Sequence, residues 1–239
     1  AVTCTGTAQT FTITVNPTPT VVAIGNQTVC NGANTTAVTF TGAVAGTSYN
    51  WTNTNTSIGL AASGVGNIGV FAGVNTGSAP VTGTITVTPV FAGCAGTPQN
   101  FTITVNPTPN VADPSDQVIC NGALTTAVTF TGTVGGTVFN WTNDTPGIGL
   151  AASGSGNIAA FAAVNAGTTA VVATITVTPQ TAGPVCTGTA QVFTITVNPT
   201  PTVADPSDQT VCNGSAVGAT VFTGAVGGTV SVSYTHLRA

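Results

Sequence analysis

The nonapeptide Phe-Thr-Ile-Thr-Val-Asn-Pro-Thr-Pro occurs three times, at residues 11–19, 101–109 and 193–201, so its copies are 90 and then 92 residues apart. A long internal repeat makes each period one structural unit, and about 100 residues is the size of a β-sandwich. Within the motif, Phe-Thr-Ile-Thr-Val-Asn alternates apolar with polar residues, as a half-buried strand does. Pro-Thr-Pro then ends the strand, because proline has no N–H for a ladder. Two prolines one residue apart make a stiff, extended linker. Each copy is therefore read as the last strand of a unit plus the linker to the next. The expected organisation is a C-terminal strand remnant at 1–19, whole repeats at 20–109 and 110–201, and a truncated start of a further repeat at 202–230. With no Met and no leader-like segment, the chain reads as a piece of something longer.

The second whole repeat spells out its strands. Gln117–Cys120 precedes an Asn-Gly turn. Residues 125–132 alternate, with Val128 and Phe130 on one face, and residues 137–143 put Phe139 and Trp141 together. Residues 158–165, 171–179 and 192–199 complete the set, with Ile175, Val177, Phe193, Ile195 and Val197 pointing inward. About seven short strands separated by turns describe an all-β, immunoglobulin-like sandwich.

Composition excludes several function classes. Only 3% of residues are charged, with one Lys or Arg in all. Nucleic-acid binding needs basic side chains to displace phosphate counterions, so it is not expected. No apolar run approaches the ~18 residues of a spanning helix. Disorder is excluded by 42% hydrophobic residues and little charge.

An early Cys-Asn-Gly, a central Asn-Trp-Thr-Asn, an alternating Thr-Ile-Thr-Val-Thr-Pro strand, a Cys before the last strand and a closing Val-Asn-Pro-Thr-Pro recur together. This combination resembles the PKD-like, immunoglobulin-fold repeats of very large secreted surface proteins of gliding-type bacteria. The likeness runs from residue 1 to about residue 230. The founding PKD pattern has an acidic run after its tryptophan, whereas Trp51 and Trp141 are followed by Thr-Asn. The resemblance implies spacer or adhesion repeats at the cell surface, with neighbouring repeats, a glycan or a surface protein as partners. The alternative is a glycan- or protein-binding accessory module of a secreted enzyme.

Six cysteines stand at 4, 30, 94, 120, 186 and 212. Regular, wide spacing in a Thr- and Asn-rich β chain fits an oxidising, extracellular setting. Two pairings are open. One crosses each linker (Cys4–Cys30, Cys94–Cys120, Cys186–Cys212). The other stays within a repeat (Cys30–Cys94, Cys120–Cys186). The within-repeat pairs are favoured here, because the start of a sandwich and the loop before its last strand share one end, while a strand and a linker separate the cross-linker partners. Reduced, buried cysteines are the remaining reading.

Candidate chemistry is sparse. Gly64, Gly66 and Gly69 form a literal G-x-G-x-x-G, and Gly154, Gly156 and Ala159 its counterpart, but no helix or downstream acid completes a dinucleotide site. With no Lys, no Glu and a lone His at 236, no nucleophile finds a base, and the chain is not expected to be an enzyme. No cofactor is expected, apart from a calcium candidate. The linker stretch Val-Ala-Asp-Pro-Ser-Asp-Gln places Asp113 and Asp116, and again Asp205 and Asp208, at junctions where Asn110 and backbone carbonyls could complete a calcium site. Ala23 and Asn26 replace both acids at the first junction. Turn-forming, solubilising acids are the plainer reading. Trp51 and Trp141 are expected in the core rather than as sugar platforms. The last nine residues, 231–239, break the repeat and carry the only His and Arg; they are read as foreign sequence from a sequencing adapter.

Overall fold

The computed structural model describes residues 1–183 and 185–230. The expected foreign tail, 231–239, lies outside the described residues. The chain divides into two units between Thr108 and Pro109.

In the first unit the sheet consists of β1 (Gln27–Cys30), β2 (Ser48–Asn53), β3 (Ser63–Val65), β4 (Val81–Phe91), β5 (Cys94–Ala95) and β6 (Gln99–Asn106). Its order is β1-β6-β4-β2-β3, with β5 pairing β4. All neighbours are antiparallel except the outermost pair. There β1 runs parallel to β6, with Gln27 opposite Ile103 and Cys30 opposite Asn106. The second unit has the same plan: β7 (Gln117–Cys120), β8 (Val138–Asn143), β9 (Ser153–Ser155), β10 (Val171–Gln180) and β11 (Gln191–Asn198), in the order β7-β11-β10-β8-β9. Again the first strand is parallel to the last.

Strict alternation builds the core. Along β4 and β6, Ile85, Val87, Phe101, Ile103 and Val105 are buried, while the threonines between them face outward. The opposite layer supplies Val38, Phe40 and Ile68 to the same core. The second unit repeats this with Phe130, Ile158, Ile175, Val177, Phe193, Ile195 and Val197.

The opposite layer departs from expectation. Residues 125–132 and 158–165 were expected as strands, but they pair through one isolated bridge, Val128–Ile158, with a second, Leu124–Ala162, beginning one residue before the first segment. Side chains intercept the ladder. The Phe130 N–H donates to Asn157 Oδ1 at 3.0 Å, and the Phe161 N–H to Thr125 Oγ1 at 3.0 Å. Polar side chains that satisfy backbone groups locally displace regular pairing. A central sheet with a Trp-bearing strand beside the penultimate strand, covered by this looser layer, is an immunoglobulin-like sandwich.

The extra two residues of the second spacing lie between Pro179 and Phe193, where Pro89 and Phe101 are two residues closer. The first unit makes a tight turn there, with Ala92 and Gly93 both at positive φ between β4 and β5. In the second unit Gln180 and Thr187 form a single bridge instead.

Candidate functional site

The recurrent motifs resolve into structural duties. In Cys-Asn-Gly, Asn31 gathers three segments. Its N–H donates to the Asn106 carbonyl at 2.8 Å. Its side-chain oxygen accepts from the Asn75 N–H at 2.8 Å, and its amide donates to Thr108 Oγ1 at 3.3 Å. Asn121 does the same with Asn198, Asn165 and Thr200. The threonine of Pro-Thr-Pro is thus a hydrogen-bond partner of the same unit's first turn. In Asn-Trp-Thr-Asn, the buried second Asn, Asn53, accepts from the Asn55 N–H at 3.0 Å and donates to the Leu60 carbonyl at 3.1 Å. It thereby organises the short 3-10 turn Thr56–Ile58.

The glycine signature is part of the sheet. Gly64 lies in β3 opposite Trp51, and a side chain there would collide with the indole ring. Gly154 stands to Trp141 in the same way. Gly66 and Gly156 follow at positive φ, where a glycine turns the chain without strain. Both tryptophans are buried, with Nε1 atoms that find no hydrogen-bond partner among the described residues. Neither indole is a surface platform for a sugar.

The calcium candidates are not brought together as a ligand set. Asp116 accepts from the Thr194 N–H and so pins the segment before β7 against β11. Asn26 does this in the first unit, accepting from the Thr102 N–H at 2.8 Å. The position therefore needs an acceptor, which explains why an amide replaces the acid. Asn110 Oδ1 is occupied by the Thr133 N–H and hydroxyl, both at 2.8 Å. Asp113, Asp205 and Asp208 are exposed. Among the described residues no three His, Cys, Asp or Glu side chains gather as a metal site.

Asp144 has a distinct place. Its carboxylate accepts from the Thr174 N–H at 2.8 Å and the Thr145 hydroxyl at 2.9 Å. These bonds, the Thr174 backbone first, hold its pKa below the ordinary value of 3.8. Thr54 fills this role in the first unit, where its hydroxyl accepts from the Thr84 N–H.

The cysteines correct the expected pairing. Cys94 and Cys120 carry free thiols, so neither Cys30–Cys94 nor Cys120–Cys186 is formed, although Cys30 and Cys186 are each disulfide-bonded. The reason is the parallel outer pair. It sets Gln27, the beginning of β1, opposite Ile103 in the middle of β6 and carries the Cys-bearing end away from the start of that strand. Cys30 sits opposite Asn106, the last residue of β6, and Cys94 lies before its first. From Gln99 to Asn106 the strand spans roughly 23 Å, against about 7 Å allowed between bridged Cα atoms. Cys120, opposite Asn198, is separated from Cys186 in the same way. Sequence spacing could not reveal this, because the end of a strand at which a cysteine lies depends on whether its partner runs parallel.

Outside the core, the sheets present hydroxyls and amides. Thr82 and Thr104 pair through their hydroxyls at 2.9 Å, and Asn140 donates to Gln180 Oε1 at 2.9 Å. A shallow depression on this face of the second unit is lined by Asn140, Thr142, Ser153, Thr176 and Thr178.

No family model matches the chain, and no curated protein does. Among solved structures, human CDH23 EC21-23 aligns at 16% identity and a TM-score of 0.40, covering 89% of this chain and 81% of that one. Dpr11 IG1 bound to DIP-gamma IG+IG2 aligns at 12% identity and a TM-score of 0.40, covering 77% and 99%. Sidekick-1 immunoglobulin domains 1-4 align at 12% identity and a TM-score of 0.27, covering 80% and 54%. Among the described residues no helix is long and apolar enough to cross a membrane.

Proposed function

We propose that the two units are consecutive repeats of a non-catalytic, extracellular spacer of the adhesion type. One observation carries this reading: each unit takes the chain in at one end and releases it at the other. Pro19 packs against Gly96, beside the turn between β4 and β6, and the chain leaves at Asn106, at the opposite end of β6. Pro109 and Gly188 repeat the contact in the second unit, which releases the chain after Asn198. A unit so threaded adds its own length to an array. The motifs support the reading, because they serve turns, linker attachment and core packing. The bonded cysteines fit an oxidising compartment. A large bacterial surface protein is the setting suggested by the PKD-like resemblance.

Small-angle scattering from the chain tests this. With β4 covering 11 residues, a unit is roughly 35 Å long. Spacer repeats give a rod at least twice that length, and a particle no longer than one unit overturns the reading. A glycan-array screen of the same protein addresses the accessory-module alternative, for which saturable binding is the expected sign.

A further inference from the structure

Three Asn-Gly dipeptides stand in this chain, at 31–32, 121–122 and 213–214. All three make the same tight turn. The Ala33, Ala123 and Ser215 N–H groups donate back to the Cys30, Cys120 and Cys212 carbonyls at 2.9, 3.1 and 3.0 Å. Gly32, Gly122 and Gly214 have φ of 79°, 81° and 84°. Only their surroundings differ. In the first unit the Gly32 N–H donates to the Gly73 carbonyl at 2.7 Å, and the Asn31 side chain is held by the Asn75 N–H and Thr108 Oγ1. The second unit repeats this, with the Gly122 N–H on the Ala163 carbonyl at 2.7 Å and the Asn121 side chain on the Asn165 N–H and Thr200 Oγ1. At the third turn Asn213 and Gly214 are exposed, and among the described residues neither the Asn213 side chain nor the Gly214 N–H has a hydrogen-bond partner.

Asparagine before glycine can react with its own backbone, because glycine has no Cβ to obstruct ring closure. The glycine nitrogen gives up its proton to hydroxide or a buffer base and attacks the asparagine Cγ. The Cγ–Nδ2 bond breaks, and the nitrogen leaves as ammonia, taking a proton from solvent. Water then opens the five-membered imide at either carbonyl and leaves aspartate or isoaspartate, with no change of oxidation state. The reaction needs a side chain able to swing onto the next nitrogen, and an N–H open to solvent. The bonds at Asn31 and Asn121 deny both, and the turn at Asn213 meets both. We propose that the Asn-Gly turns are self-modification sites guarded by closure of their own repeat: Asn213 is converted in the native chain, and Asn31 and Asn121 only when their units open.

Conversion runs one way. Isoaspartate inserts a methylene into the main chain between two N–H groups that the fold holds in register. The Asn31 N–H donates to the Asn106 carbonyl at the end of β6, and the Gly32 N–H to Gly73. A lengthened backbone loses at least one of these bonds. A unit converted while open therefore recloses with a weakened attachment between its first turn and its last strand. The inference does not depend on the spacer reading, since each guarded site lies within a single unit and its readout is chemical rather than shape.

The test is timed incubation of the full chain in mildly alkaline buffer, below its melting temperature, followed by peptide mapping that separates the asparagine, aspartate and isoaspartate forms. The Asn213 peptide should convert at least about tenfold faster than the Asn31 and Asn121 peptides, because a closed turn reacts only through its open fraction. In urea above the unfolding midpoint the three rates should converge to within about twofold. Equal rates in native buffer overturn the guard, and so does an intact Asn213 where urea converts all three. Thr108→Val, which removes the acceptor of the Asn31 amide, should raise the Asn31 rate about threefold, with Asn121 as the internal standard. An unchanged Asn31 rate overturns the side-chain half of the guard. Chain converted in urea and returned to buffer should unfold at a lower urea concentration than chain unfolded only briefly, and equal midpoints overturn the one-way step.

Discussion

At the scale of the residue, asparagine does much of the work that charge does elsewhere. Asn75 is buried and fully used: its amide donates to the Val105 and Ala79 carbonyls at 2.7 and 2.8 Å, and its oxygen accepts from the Gly77 N–H at 2.9 Å. Replacing it with alanine strands these partners, and we expect Asn75→Ala to destabilise the first unit by about 3 kcal/mol in urea melts. Asp116 is a contrasting case, because its counterpart is Asn26. Asp116→Asn should lie within about 0.5 kcal/mol of wild type, and Asp116→Ala should lose about 1 kcal/mol, read from the same melts. Asp144 gives the second unit a pH dependence. Its folded pKa is depressed, so its contribution is full above 3.8 and disappears as pH falls through the folded value. Acid titration of thermal stability should show this loss, and Asp144→Thr, which copies Thr54 of the first unit, should remove it. The Cys-Asn-Gly motif is visible in the sequence, but its asparagine's three-way attachment is not, because partners such as Asn75 lie 44 residues away.

At the scale of the element, one peptide reports how little a strand owes to its own letters. In the copy at residues 11–19, Phe11, Ile13 and Val15 are 85%, 79% and 87% exposed, and no strand forms. In β6, Phe101, Ile103 and Val105 of the identical peptide are 2%, 0% and 0% exposed. The difference is the presence of β1 and β4 on either side. Alternation gave the inward face of β8, β10 and β11 correctly, since a two-residue period leaves no freedom once one face is buried. It failed for residues 125–132 and 158–165, where Thr125 and Asn157 hold backbone N–H groups that a ladder would need. The direction of β1 was equally hidden, and with it the cysteine pairing. The turn after β4 is a further local cost: Ala92 has φ 47°, a region that disfavours a Cβ. Ala92→Gly should stabilise the first unit by about 1 kcal/mol, measured by denaturant midpoint, with no change in the second.

At the scale of the whole molecule, a formal charge of −4 over 239 residues leaves little for salt to screen. Melting temperature should move by no more than about 2 °C between about 0.05 and 0.5 M sodium chloride, because burial and neutral hydrogen bonds dominate. The parallel pairing of first and last strands has a mechanical consequence. If a unit is pulled by its upstream and downstream ends, β1 is drawn one way and β6 the other along their common axis. Their hydrogen bonds, which lie across that axis, are loaded together in shear rather than opened one after another as in a peeled hairpin. The same geometry that separates the cysteines of one unit thus makes its two terminal strands a clutch, closed by the register from Gln27–Ile103 to Cys30–Asn106.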